Sequence, residues 1–258
     1  MARPSSTTTE ARSTSIRLPP PMWVFFTAVG LIVVAVVVNI VVPLWQRQAA
    51  IRQIRLMGGW VEPIKVGPQW LRDMAGDEWM VFDDVRDVIF VSSRVSDSEL
   101  ACVRGLKDLD RLELGRTPIT DAGLAHLKEL QRVTWLGLDH TGVTDMGMAH
   151  LESLTKLESL DLQKTNVTDA GLSHLEGMTR LIALGLSDTA VTDAGLLRLT
   201  TMTNLRSLSL KGTSITDVGV AHLKGLPQLQ RLDIRETSVT DAGVADLKGA
   251  LPRLQIER

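Results

Sequence analysis

Two rows of residues capable of chemistry recur at one spacing in this 258-residue chain. Aspartates stand at 97, 121, 145, 169, 193, 217 and 241, and four of the five histidines, His126, His150, His174 and His222, share a second register of the same period of 24. A carboxylate row invites a catalytic or calcium-binding reading, and a histidine row invites zinc. Both yield to simpler explanations. Zinc needs its ligand atoms about 2 Å away, whereas equivalent residues of adjacent repeats lie farther apart than the roughly 4.8 Å between strands. Arg198 and Asp246 also interrupt the histidine register. Each aspartate follows Thr or Ser and precedes a helical pattern, so Asp or Thr is expected to cap each helix, where a side-chain oxygen accepts from an orphan backbone N–H. Cys102 lies near the first such helix and reads as a buried, inert thiol. A single cysteine excludes a disulfide framework and a cysteine zinc site. No phosphate loop, G-x-S-x-G elbow or H-E-x-x-H motif is present. The expectation is a chain with no catalytic residues, no metal and no cofactor, and with no small-molecule substrate.

Recognition is the more credible chemistry. Trp135 is the only aromatic residue after Phe90, and the local alternation of apolar and polar residues points it to solvent. Tryptophan and arginine are enriched among interface hot spots because they bury large areas while keeping a polar handle. Arg111 and Ser159 flank Trp135 one period away on either side, and Arg116, His140 and Lys164 form a mildly basic row beside it. With Asp139 and Asp161 on the same face, these residues make up the candidate partner-binding patch. The alternative is a lone exposed aromatic lying against a neighbour.

The elements that must position this patch follow from the period itself. The dipeptide Thr-Asp occurs at 120, 144, 168, 192, 216 and 240, with a conservative Ser-Asp at 96. Within each period the apolar residues read L-x-x-L-x-L-x-x-T-x-[IV], as in Leu109, Leu112, Leu114, Thr117 and Ile119. Leu112 and Leu114 alternate with Glu113, the signature of a short strand with one buried face. Leu124, Leu127 and Leu130 then recur at helical spacing. The pattern resembles the leucine-rich repeat family, in particular the bacterial repeats that read T-x-V-T-D-A-G-L-x-H-L, over about residues 80 to 258. The resemblance implies an α/β solenoid with a parallel sheet on the concave face and short helices on the convex face. It also implies a protein-binding role without specifying one ligand. Leu136/Leu138 through Leu232/Ile234 would form a continuous ladder that no single repeat could bury alone. Thr117, Thr141, Thr165, Thr189, Thr213 and Thr237 would supply hydroxyls to loop carbonyls.

An array of this kind has two open ends. Val88 and Phe90 occupy strand positions one period ahead of Leu112 and Leu114, with Phe82 and Val85 ahead of Leu106 and Leu109, which marks an atypical first repeat. Trp60, Trp70 and Trp79 are suited to covering the ladder before it. At the other end Ala250 is one residue too many, and the final strand is expected to break down into a C-terminal cap.

Ahead of the array, residues 23 to 42 read WVFFTAVGLIVVAVVVNIVV, with Thr27 and Asn39 as the clearly polar members. Twenty residues of helix span about 30 Å, the thickness of a bilayer's hydrocarbon core, and Trp23 and Trp45 flank the stretch as interfacial anchors. A cleaved signal peptide is the competitor, but its apolar region is shorter and ends in a small-x-small site, where this one ends NIVVPLW. The segments are therefore residues 1–21 as a disordered polar tail, 22–45 as a transmembrane helix in contact with the lipid bilayer, 46–80 as a juxtamembrane helix and N-terminal cap, and 81–258 as the repeat array. The helix expected from Gln46 to Met57, stopped by Gly58-Gly59, is open to three placements: on the bilayer, against the cap, or continuing the anchor. Arginines 3, 12 and 17 balance 47, 52 and 55, so the positive-inside rule gives no orientation. A long domain behind an N-terminal anchor favours an extracytoplasmic array. The net charge of -2 argues against nucleic acid. The reading is a single-pass, membrane-tethered module that binds a protein partner on its concave face. An adaptor recruiting substrates to a separate enzyme and a structural cell-envelope protein are the alternatives.

Overall fold

The computed structural model describes residues 20–64, 84–90 and 94–258. The chain divides into two compact units, residues 1–43 and 44–258. In the first, helix α1 (Pro20–Val36) is followed by a π-helical turn, Val37–Val41. The expected polar tail lies outside the described residues except for its last two, which already belong to α1. Helix α2 (Val42–Leu56) comes next. From Phe26 to Leu56 the chain is long and apolar enough to cross a membrane, with a mean hydropathy of 2.6 in its most apolar window and none of that window buried.

The second unit is a single sheet of nine strands in chain order among the described residues. Strand β1 (Trp60–Ile64) pairs antiparallel with β2 (Asp84–Ile89). From β2 onward every pairing is parallel: β3 (Arg111–Glu113), β4 (Trp135–Gly137), β5 (Ser159–Asp161), β6 (Ala183–Gly185), β7 (Ser207–Ser209), β8 (Arg231–Asp233) and β9 (Gln255–Glu257). The central residues of these strands, from Val88 through Leu112, Leu136, Leu160, Leu184, Leu208 and Leu232 to Ile256, stand in one in-register row. The leucines of this row are at most 2% exposed. Helices of four residues, α3 (Asp121–Leu124), α4 (Asp145–Met148), α5 (Asp169–Leu172) and α6 (Asp193–Leu196), return the chain to the next strand. Helices α7 (Asp217–His222) and α8 (Asp241–Ala250) are longer.

Of the two residues that could cap each helix, the aspartate does not. Threonine is the N-cap: the Thr144 hydroxyl, for example, accepts from the Met146 N–H. The aspartate is the first helical residue, and its carboxylate reaches the next repeat. The Thr144 N–H donates to Asp121 Oδ1 at 2.8 Å and the Thr144 hydroxyl to Asp121 Oδ2 at 2.6 Å. The same clamp recurs from Asp97 to Thr120, Asp145 to Thr168, Asp169 to Thr192, Asp193 to Thr216 and Asp217 to Thr240. It also explains the glycine two residues after each Thr-Asp. A Cβ on Gly147 would stand 2.3 Å from Asp121 Oδ1, and one on Gly219 would stand 2.2 Å from Asp193 Oδ1. These glycines are kept small by the clamp, since their φ is ordinary.

The threonine hydroxyl ladder forms as expected, each Oγ1 donating to the carbonyl three residues back, as Thr117 does to Leu114 and Thr213 to Leu210. The residue before each of these threonines turns the chain out of its strand with positive φ: Arg116, His140, Lys164, Asp188, Gly212 and Glu236. Only one is glycine, so the others hold a left-handed conformation that costs roughly 1–2 kcal/mol apiece. Cross-repeat backbone bonds offset that cost, as where the Arg116 N–H donates to the Asp139 carbonyl.

Both ends of the array depart from expectation. The final strand does not break down. Leu251 and Leu254 stand 25 residues after Leu226 and Leu229, but the chain gives up one residue before the strand, and Gln255 pairs with Arg231 at the regular spacing of 24. At the other end Trp60 is 53% exposed and does not seal the ladder, while Trp70, Trp79 and Phe82 lie outside the described residues. Within the second unit the seal is α2, whose Ala50, Ile51 and Ile54 are buried in the same apolar core as Val61, Val88 and Phe90. Arg47 pairs with Asp108 at 2.5 Å, and Asp108 pairs in turn with Arg132. Of the three placements open to this segment, two hold at once: it continues the helix that runs from Phe26 to Leu56, and it packs against the array.

Candidate functional site

The open face of the sheet is built from the residues that flank the buried leucine in each strand. Because these strands are in register, side chains one period apart stand side by side. Arg111 therefore lies against Trp135, its guanidinium carbon 4.0 Å from the ring centroid, a geometry that holds a cation over the negative face of the indole. The ring leans over β4, where a Cβ on Gly137 would meet it at 2.7 Å. One side of Trp135 is thus occupied by Arg111. The other borders a shallow groove of about 220 Å³ that runs over β5, β6 and β7, lined by Ser159, Asp161, Gln163, Ala183, Gly185 and Ser207 among others.

The remaining candidates fall into two groups. Arg116, His140 and Lys164 occupy the left-handed turn positions. Arg116 Nε lies 3.7 Å from Asp139 Oδ2, and Lys164 Nζ lies 3.9 Å from Asp188 Oδ2, so these cations face carboxylates on adjacent strands and turns. Asp161 belongs to the groove, where it accepts from the Gln163 N–H and side-chain amide, each at 3.0 Å. Burial pushes its carboxyl above the usual aspartate value, and the neighbouring Asp139 charge adds to the shift.

Glu113 was not among the sequence candidates, although its place on the open face was. Burial, then repulsion from Asp139 and Asp161, raises its carboxyl above the ordinary value, partly countered by the bond its Oε1 accepts from the Gly115 N–H at 3.0 Å. Glu113 and Asp139 both crowd over Gly115, where a Cβ would meet Asp139 Oδ1 at 2.0 Å and Glu113 Oε1 at 2.9 Å. The groove's small residues carry no signal singly; the signal that finds them is their adjacency at one period, Ser159, Ala183 and Ser207.

The histidine row does not converge, and among the described residues no three metal-ligating side chains group together. His174 Nδ1 instead meets Glu152 at 2.6 Å, a bond between repeats on the helix side. His126 is held below the ordinary histidine value chiefly by burial. Cys102 is half-buried, and burial pushes its thiol to about 11, which keeps it protonated and unreactive at neutral pH.

Residues 153–175 and 201–223 match a leucine-rich repeat family model. Among solved structures, an internalin C2 from Listeria monocytogenes superposes with a TM-score of 0.50 at 22% identity, covering 69% of this chain and 86% of its own. A leucine-rich repeat protein from Leptospira interrogans gives 0.50 at 19%, covering 61% and 39%. A second Listeria monocytogenes internalin gives 0.47 at 20% over 61% of this chain, which spans about half (49%) of that internalin's length. No curated protein matches the sequence. At 22% and 19% identity, the first two likenesses establish the fold alone.

Proposed function

We propose that this leucine-rich repeat chain, tethered to a membrane by its N-terminal helix, binds an extended segment of a partner protein across the open face of its sheet, centred on Trp135. The observation that carries the reading is the groove bordered by Trp135 and floored by Ser159, Ala183, Gly185 and Ser207. Short side chains let a partner's backbone approach the sheet closely, and the free edge of the indole offers a large apolar surface beside that path. Arg111 stacked on the far side fixes the ring and lowers the entropy lost on binding. Asp161, half-desolvated at the groove wall, favours a partner that brings it an N–H or ammonium donor. In this reading Arg116, His140, Lys164 and Asp139 frame the groove and set the partner's register. They contribute less affinity, because exposed charges at a rim gain little.

The test is Trp135→Ala in the full chain. Partner is first cross-linked and identified from native membranes, then titrated against wild type and variant. The variant should keep its circular dichroism spectrum and bind about thirtyfold more weakly, the effect of losing a hot spot worth about 2 kcal/mol. Unchanged affinity would move the site elsewhere. The long domain behind the anchor favours an extracytoplasmic array, and a reporter fused to the C-terminus reads the side directly.

A further inference from the structure

We infer that the apolar helix pairs with the same helix of a second copy inside the bilayer through Asn39, an inference that rests on reading that helix as a membrane anchor. From Ala28 to Val42, Asn39 is the single polar side chain. In hydrocarbon an amide without partners is costly, because no water is present to satisfy it. Its Nδ2 donates to the Ala35 carbonyl at 2.9 Å, which uses one of its two N–H groups. No donor reaches its Oδ1 among the described residues, which leaves a strong acceptor and a second donor facing outward.

Two further features mark the same stripe of helix. Asn39 lies inside the π-helical turn Val37–Val41, where the Val42 N–H reaches back to the Val37 carbonyl; such turns widen a helix locally and re-aim its side chains. Ala28, Ile32, Ala35 and Asn39 follow one another at steps of four, three and four, all exposed. This is the spacing of a helix–helix seam, and the two alanines allow close backbone approach. Together with the amide, the seam selects its occupant. An asparagine side chain is self-complementary, donor to acceptor in both directions, and in a parallel pair the identical residue arrives at identical depth. A different helix would need its own polar group at that level. Pairing would give each assembly two repeat arrays and so raise its avidity for a partner with two binding segments.

The test uses the full chain with donor or acceptor fluorescent proteins fused to its C-terminus, reconstituted in phosphatidylcholine liposomes over a range of protein-to-lipid ratios. Energy transfer should saturate for wild type, with Asn39→Leu shifting the midpoint about tenfold and Asn39→Gln retaining most of the association. Ala35→Ile should weaken pairing, and Val34→Ile, off the seam, should not. Absence of saturable transfer in wild type, or an unshifted midpoint for Asn39→Leu, overturns the inference. Carbonate extraction and the mass of the mature N-terminus separate this from the anchor reading. If residues 22–45 are missing from the mature chain, both fall. If the chain stays in the membrane and Asn39→Leu still pairs normally, only the pairing falls.

Discussion

Six of the seven aspartates in the row, all but Asp241, bind the next repeat in a way their sequence position does not advertise. Asp121 bonds the backbone and hydroxyl of Thr144 in the next repeat and, in doing so, occupies the space above Gly147. Hydrogen bonds to a charged group contribute about 1.5–3 kcal/mol, so Asp121→Ala should lower unfolding free energy by about 2 kcal/mol in urea. Gly147→Ala should cost about 1–3 kcal/mol by overpacking against that carboxylate. The double variant should be less destabilised than the two costs combined, since removing Asp121 makes room for the new methyl. Strict additivity would mean that the glycine is small for another reason. Glu113 carries the opposite sign of effect. Its carboxyl is raised in the folded chain, so its charged form opposes folding at neutral pH, and the penalty is relieved as pH falls through the folded value. Glu113→Gln should therefore raise the melting temperature at pH 7, with the gain vanishing below the ordinary carboxylate range. A gain that persists in acid would rule out charge burial as its cause. Asp217 runs the other way: bonds from the Thr240 hydroxyl and N–H lower its carboxyl, so its contribution is present above the ordinary aspartate value and lost as pH drops.

Among the elements, the short strands and helices were legible because their leucines recur with the periods of strand and helix. Strand β1 was not. The segment Trp60–Ile64 contains Pro63, which argues against a central strand, and it is found at the sheet's edge with a bulge between Glu62 and Pro63, where a missing N–H is tolerated. Helix α2 was legible as a helix but not in its placement. Its apolar residues Ile51 and Ile54 suit a bilayer surface as well as a protein core, and only the array's exposed end decides between them. Ile54 is fully buried there, close to Phe90 around Gly59. Ile54→Ala should destabilise the array by about 2–5 kcal/mol, the usual range for a cavity of that size. A denaturation midpoint equal to wild type would show that the helix does not seal the end. The turn after each strand is a third case: nothing in Arg116, His140, Lys164, Asp188 and Glu236 as residue types announces a left-handed backbone, since glycine fills that position only once.

For the molecule as a whole, the repeat sets what each unit must do while the stack sets what units do to one another. The array's apolar core, its strand order, its helix starts and its threonine ladder follow from the 24-residue period, because alternation, capping and the threonine bond are set within each repeat, and stacking identical repeats then buries the leucines that none could bury alone. The apolar helix, too, is announced by twenty nearly uninterrupted hydrophobic residues. The proposed partner patch is legible only in part. Trp135 stands out as the one aromatic residue after Phe90, with Arg111 one period away, but the groove beside them depends on small side chains from three strands meeting in space, and the carboxyl shift at Glu113 depends on Asp139 and Asp161 being brought near. The sequence by itself thus determined periodicity, element type and which residues face inward, since these depend on neighbours within one repeat. The tertiary structure alone decided the aspartate clamp, the reason for the glycines, the docking of α2 and the groove, because each arises from atoms a full period or more apart whose contact exists only once repeats are stacked.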